Sequence, residues 1–189
     1  LSAAQTMKII EGLLPGKHFE RFRDQREANF AHFEEGVARF RVSAFFQKDT
    51  PSIVMRHIET SIPTVEELEL PTSLKEIVMI QRGLVLCVGA TGTGKSTTQA
   101  AMIGHRNRNS ASHILTVEDP IEYIHEHDKS IVNQREVGID TDSFETALKN
   151  SLRQAPDVIL IGEVRSRETM EHAITFAETG HLCMATLHS

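Results

Sequence analysis

The stretch "GATGTGKS", Gly89 to Ser96, limits the possible folds more than any other part of the chain. It fits G-x-x-x-x-G-K-[ST] without a gap. The apolar run 84–88 precedes it and a helix-forming run follows from Lys95. A buried strand that ends in such a loop and continues as a helix is the context this phosphate-binding motif requires. The glycines let the backbone curl so that successive N–H groups point at phosphate oxygens. The helix start adds its positive end. In this reading Gly89, Ala90, Thr91, Gly92, Thr93 and Gly94 form the cradle, and Thr97 continues it into the helix. Lys95 reaches the β- and γ-phosphates and Ser96 ligates magnesium. A plain glycine-rich turn capped by Lys and Ser would need neither flank.

From Pro71 onward the pattern alternates strand and helix. "TSLKEIVMIQ", "KSTTQAAMIGHRNR", "SFETALKNSLRQ" and "RETMEHAITFAETG" read as helices. "GLVLCVG", "HILTVED", "DVILIGE" and "HLCMATLH" read as buried strands. Near-continuous apolar strands separated by helices imply an α/β fold with a parallel sheet covered on both faces.

Residues 1–62 read as a separate small α/β unit. "AAQTMKIIEGLL" has helical spacing, and "FERFRDQREANF" ends a helix and enters a strand. "VARFRVSAFFQ" places Val37, Phe40, Val42 and Ala44 at strand alternation. "PSIVMRHIE" is its antiparallel neighbour, with "DTP" as the hairpin loop. Pro63 and Pro71 flank an acidic stretch, so 63–71 is expected to be a linker and 72–189 the second domain.

The 189 residues are 40% hydrophobic and 24% charged, which fits an ordinary globular chain. A net charge of -6 argues against nonspecific nucleic-acid binding, which needs a positive field. Cys87 and Cys183 sit in apolar runs and read as buried hydrophobes, which fits a cytoplasmic setting better than a disulfide framework. No apolar run reaches the roughly 20 residues of a membrane-spanning helix. The chain starts without Met and stops after a strand pattern, so it is expected to be a fragment.

Two strand patterns end in acids. "VILIGE" ends in Glu163, in the manner of a Walker B strand, whose acid serves magnesium beside the phosphate loop. Such strands more often end in Asp, and here Gly162 precedes the acid. "LTVEDPIE" offers Glu118, Asp119 and, past Pro120, Glu122. Proline stops the strand and fixes a turn that throws Glu122 outward. A carboxylate held there suits orienting or deprotonating water for in-line attack on a γ-phosphate. A solvated turn at a sheet edge gives the same pattern, and spacing alone does not choose among the three acids.

His181 and His188 bracket one strand, and His188 at its end is a candidate γ-phosphate sensor. His125 and His127 form a short H-x-H with no Cys or second His pair to complete a zinc site. Arg39, Arg41 and Arg56 lie on the paired strands of the small unit. Arg39 and Arg41 share one strand face, either as a solvated surface or as arginine fingers for a nucleotide.

"GATGTGKSTT", "ILTVEDPIE", "LRQAPDVILIGEVR" and "AETGHLCMATLH" stand in order. They resemble the Walker A, Asp box, Walker B and His box of the secretion ATPase superfamily. "VNQREVG", "ALKNSLRQAPD" and "ETMEHAITFAETGHLC" are similar to the twitching-motility retraction ATPases of the PilT/PilU family, more to the PilU side.

The resemblance implies a PAS-like N-terminal domain ahead of a RecA-like ATPase domain, with ATP and Mg2+ as ligands. It implies a homo-hexamer or association with a PilT-like ATPase. A platform protein at the inner-membrane base of a type IV pilus would be the partner. It makes Glu122 the catalytic base, leaves Glu163 to magnesium, and gives Arg41 and Arg56, with Arg82 a weaker candidate, to the nucleotide site. It assigns His181 and His188 to coupling nucleotide state with motion. Two positions depart from the family pattern: Ser166 stands where Asp is usual and Ala185 where Gly is common. The family's C-terminal helices lie outside this chain, which is therefore expected not to build a normal ring alone. Three functions compete: a retraction motor, an assembly or secretion ATPase, and a slow accessory paralogue regulating a PilT-like motor.

Overall fold

The computed structural model describes residues 1–14, 16–34, 38–58 and 61–188. The chain divides into two compact units, Leu1–Thr60 and Ser61–Ser189.

The first unit has two helices, α1 (Ala3–Leu13) and α2 (Lys17–Gln25), and three strands, β1 (Glu27–Glu34), β2 (Ala38–Gln47) and β3 (Thr50–Ile58). The strands pair antiparallel in the order β1-β2-β3. Helix α1 starts on a capping box, in which Ser2 and Gln5 each bond the other's backbone N–H. Val42 and Ala44 of β2 are fully buried, and Ala44 packs with Ile10, Leu14 and Phe22 of the helical segment. Val37, the first residue of the expected alternation, lies outside the described residues. The hairpin turns at Lys48 and Asp49, both at positive φ, rather than through "DTP". Thr50 and Pro51 already pair with Gln47 and Phe46. A two-residue turn with positive φ at both positions matches the twist of the strands it joins. Pro51 is tolerated because β3 is an edge strand.

The second unit is a five-stranded parallel sheet in the order β4-β8-β7-β5-β6. Its strands are β4 (Gly83–Val88), β5 (His113–Glu118), β6 (Ile131–Glu136), β7 (Val158–Ile161) and β8 (Leu182–Leu187). Its helices are α3 (Ser73–Met79), α4 (Lys95–Asn109), α5 (Phe144–Ser151) and α6 (Arg167–Glu178), with a short 3-10 turn at Leu152–Gln154. Strand alternation divides the core into two layers. Ile159, Ile161, Cys183 and Ala185 meet Ala147, Leu148, Ala173 and Phe176 of α5 and α6. Val158, Leu160, Leu182 and Met184 meet Val78, Met102 and Ile103 of α3 and α4. Burying each large apolar side chain contributes about 1.5–3 kcal/mol, so these two layers dominate what holds the sheet.

Cys183 is fully buried, and burial pushes its thiol up to about 12. Cys87 is half-buried and its thiol is raised by the same cause. Both are free thiols. Ala185 faces the α5/α6 layer with no exposure, so its methyl packs as core. Ser166 caps α6, its hydroxyl accepting from the Thr169 N–H at 3.1 Å. Asp is an equally good residue for that position, so this departure from the family pattern keeps the cap.

Three expectations change. Strand β6 follows no apolar run, since Val132 is its one buried apolar residue. Strand β4 is the sheet's edge among the described residues, and its Leu86 and Val88 are 38% and 59% exposed. The 63–71 linker folds as part of the second unit. Thr64 and Glu67 bond each other's backbone N–H, Glu66 pairs with Lys75, and Val65 is 2% exposed. Buried Val65 anchors the stretch that the two prolines frame.

Candidate nucleotide-binding site

All five strands run parallel, so their C-terminal ends share one rim, where ligands bind in open α/β sheets. Four rim segments meet around a cavity of about 560 Å3. After β4 comes the phosphate loop, after β5 the segment Glu118–Tyr123, after β7 Gly162 and Glu163, and after β8 His188.

The loop residues Thr91, Gly92, Gly94, Lys95, Ser96 and Thr97 line the cavity. Gly94 caps α4 in the left-handed conformation, at φ 86°, which a side chain rarely adopts. Gly89, Ala90 and Thr93 belong to the loop but do not line the cavity. Thr93 Oγ1 donates to the Ala90 carbonyl at 2.8 Å. The Lys95 ammonium lies inside the curl and donates to the Gly89 and Ala90 carbonyls, each at 2.8 Å. The loop therefore has a cation inside its curl and a hydroxyl, that of Ser96, at the helix start beside the cavity, a set that fits a polyphosphate.

Glu163 stands between the loop and the Asp box. Its Oε2 accepts from Arg165 Nε at 2.6 Å and its Oε1 lies 2.8 Å from His188 Nε2. Arg165 also reaches Asp119 Oδ2 at 3.1 Å, joining the two acidic strand ends. The Gly162 carbonyl accepts from Thr186 Oγ1. A Cβ on Gly162 would fall 3.0 Å from Glu118 Cα and 3.3 Å from the Val117 carbonyl, which explains the glycine before the acid. Ser96 and Glu163 both line the cavity and would hold Mg2+ together with phosphate oxygens.

The three Asp-box acids have different surroundings. Glu118 is half-buried at the cavity wall, and burial of its carboxyl pushes it up to about 7. Hydrogen bonds from Thr116, Gln134 and the Glu122 backbone oppose that rise, while the Glu122 charge adds to it. Asp119 is engaged by Arg165. Ile121 is 3% exposed, and its N–H donates to Glu136 Oε2 at 3.1 Å. Of the three acids, Glu122 alone is exposed, and it lines the cavity. Tyr123 follows, with its hydroxyl 3.0 Å from Thr97 Oγ1 on the helix that starts at the phosphate loop.

His181 is not brought to this cavity. It opens β8 at the opposite end of the sheet, about 20 Å from the rim at the rise of a strand. There its Nδ1 lies 3.1 Å from the Phe176 carbonyl and from Thr179 Oγ1. Only His188 ends the strand at the rim. His125 is buried beside the cavity, and burial pushes its imidazole down to about 4, so it is neutral near pH 7. His127 is exposed and accepts from the Val132 N–H through Nδ1. In the first unit Arg41 and Arg56 are directly opposed across β2 and β3, and Arg39 faces Ile58. Arg82 is an exposed residue just before β4. The sequence patterns assign no role to Arg165, Tyr123 or Gln134, although Arg165 and Gln134 lie in the family-like stretches "LRQAPDVILIGEVR" and "VNQREVG".

A parallel α/β sheet with a phosphate loop, a Walker B acid and a second acidic strand end at one rim defines a P-loop nucleotide-binding domain of RecA-like form. The chain belongs to the family described as Type II/IV secretion system protein, matched over residues 24–189. Within it, the likeness is to the PilT/PilU type IV pilus ATPases. The chain is 62% identical to the type IV pilus ATPase PilU of Pseudomonas aeruginosa, covering 100% of this chain and 50% of that protein. It is 46% identical to the type IV pilus retractation ATPase PilT of the same organism, covering 100% of this chain and 55% of that one. A crystal structure of the pilus retraction motor PilT with bound ADP superposes with TM-score 0.93 at 44% identity, covering 96% of this chain and 53% of that one. The chain thus spans about half the length of these relatives. Among the described residues no helix is long and apolar enough to cross a membrane.

Proposed function

We propose that this chain is the nucleotide-binding part of an ATP-hydrolysing motor subunit that drives type IV pilus retraction. One observation carries the proposal: the phosphate loop, the Glu163 cluster and the exposed Glu122 line a single cavity. The names of the PilU and PilT relatives support the pilus assignment.

The loop N–H groups and Lys95 bind the phosphates, and Ser96 and Glu163 hold the metal. When bound there, Mg2+ would neutralise charge on the phosphate. Arg165 and His188 fix the orientation of the Glu163 carboxylate from both oxygens. Glu122, free of that cluster, orients the attacking water and takes its proton. Breakage of the bond to the γ-phosphate changes what His188 faces, and β8 carries that change along its length. Arg41 and Arg56 stand directly opposite each other on β2 and β3, so both guanidinium groups lie on one face of that sheet. That supports their contributing to a nucleotide site in a hexamer, from a neighbouring subunit. The subunit would work in the cytoplasm at the membrane base of the pilus, against a platform protein.

In the full-length protein, Lys95→Ala loses ATP binding, whereas Glu122→Ala binds ATP and loses turnover. Normal turnover in Glu122→Ala would remove the base assigned here. The 62% identity to PilU favours a second reading, a slow accessory paralogue of a PilT-like motor. ATPase rates measured with and without a PilT-like partner separate the two readings. A rate that rises only with the partner present supports the accessory role.

A further inference from the structure

Strands β5 and β6 match residue for residue near the rim. Ile114, Thr116 and Glu118 pair with Val132, Gln134 and Glu136. Partners in a parallel pair share a face, so this face of both strands changes from apolar to polar toward the cavity. The central polar residue on β6 is Gln134. Its Nε2 donates to Glu118 Oε1 at 3.2 Å and to the Tyr123 carbonyl at 2.9 Å. Its Oε1 accepts from the His125 N–H at 2.7 Å. One amide therefore holds the backbone on the far side of Glu122 at two points and also touches Glu118. Glu136, one pleat along, holds Ile121 on the near side.

We propose that Gln134 is a positioning residue for turnover: a clasp on Tyr123, His125 and Glu118 that sets where the Glu122 carboxylate stands over the γ-phosphate. The inference rests on the role given to Glu122 above. Gln134 does not line the cavity. Its effect reaches the chemistry only through the backbone that carries Glu122. A misplacement of about 1 Å in a reacting group can cost on the order of 100-fold in rate.

The test uses the full-length protein and two variants. Gln134→Met keeps the volume and removes all three hydrogen bonds. Gln134→Glu keeps the acceptor for the His125 N–H and removes the donor to Tyr123. ATP turnover should show kcat lowered about tenfold or more in both, with KM and ATP affinity within about twofold of the parent. Hydrogen exchange measured by mass spectrometry over 119–126 should accelerate in Gln134→Met. An unchanged kcat, or a parallel loss of kcat and ATP affinity, would overturn the proposal. If the parent protein does not hydrolyse ATP, the motor reading fails, and the exchange measurement still decides the clasp: unaltered protection in Gln134→Met refutes it. If Gln134→Met does not fold, Gln134→Glu carries the same kinetic readings.

Discussion

Replacing Glu118 with glutamine should change how stability depends on pH by an amount the structure sets. Burial holds the Glu118 carboxyl at about 7, against 4.5 for an ordinary carboxyl. A group with a raised folded-state pKa favours the native state when protonated. Its contribution is complete below the unfolded value and is lost as pH rises through the folded one. Each pH unit of that gap is worth about 1.4 kcal/mol, so the full loss approaches about 3 kcal/mol between about pH 4.5 and pH 8. The amide that replaces the carboxyl in Glu118→Gln cannot titrate. Local packing changes in the variant are the same at both ends of the range and cancel in the comparison. Urea unfolding at about pH 4.5 and about pH 8, for the parent and Glu118→Gln, reads the difference directly. The parent should lose about 3 kcal/mol more than the variant as pH rises. Parallel profiles would show that the Glu118 carboxyl is not held in its protonated form by the fold.

Gly162→Ala should destabilise the second unit by about 1–3 kcal/mol in urea unfolding, since its Cβ meets the β5 backbone rather than a movable side chain. Ser166→Ala should cost about 1 kcal/mol by removing the α6 cap, while Ser166→Asp should hold the parent's melting temperature.

Much of the site could be read from the sequence because backbone chemistry constrains it. A phosphate loop needs glycines at fixed offsets, a strand before it and a helix after it, and all three are local features. The acids were readable for a similar reason: apolar runs that stop at Glu118 and Glu163 end strands, and parallel strands end together. What the sequence hid depends on register. Gln134 looks like any polar residue until β6 is aligned with β5, and β6 itself carries too little apolar surface to be recognised as a strand. Arg165 became part of the site only once Asp119 and Glu163 were adjacent. The two histidines of "HLCMATLH" differ for a reason the sequence does contain. A strand reaches the rim with one end, so His188 lies there and His181 at the far end. The hairpin turns one residue earlier than "DTP" because positive φ at Lys48 leaves no mark in that residue type, whereas Asp49 is a residue that tolerates it.

The central claim is the division between two acidic strand ends, with Glu163 serving the metal and Glu122 the water. The magnesium dependence of ATP turnover tests it most directly, measured in the full-length protein for Glu163→Gln and Glu122→Gln. Glu163→Gln should shift the half-saturating Mg2+ concentration upward. Glu122→Gln should leave that concentration in place and lower the maximal rate on the order of 100-fold. The reverse pattern, or a Glu122→Gln protein that turns over ATP at the parent's rate, would contradict the account.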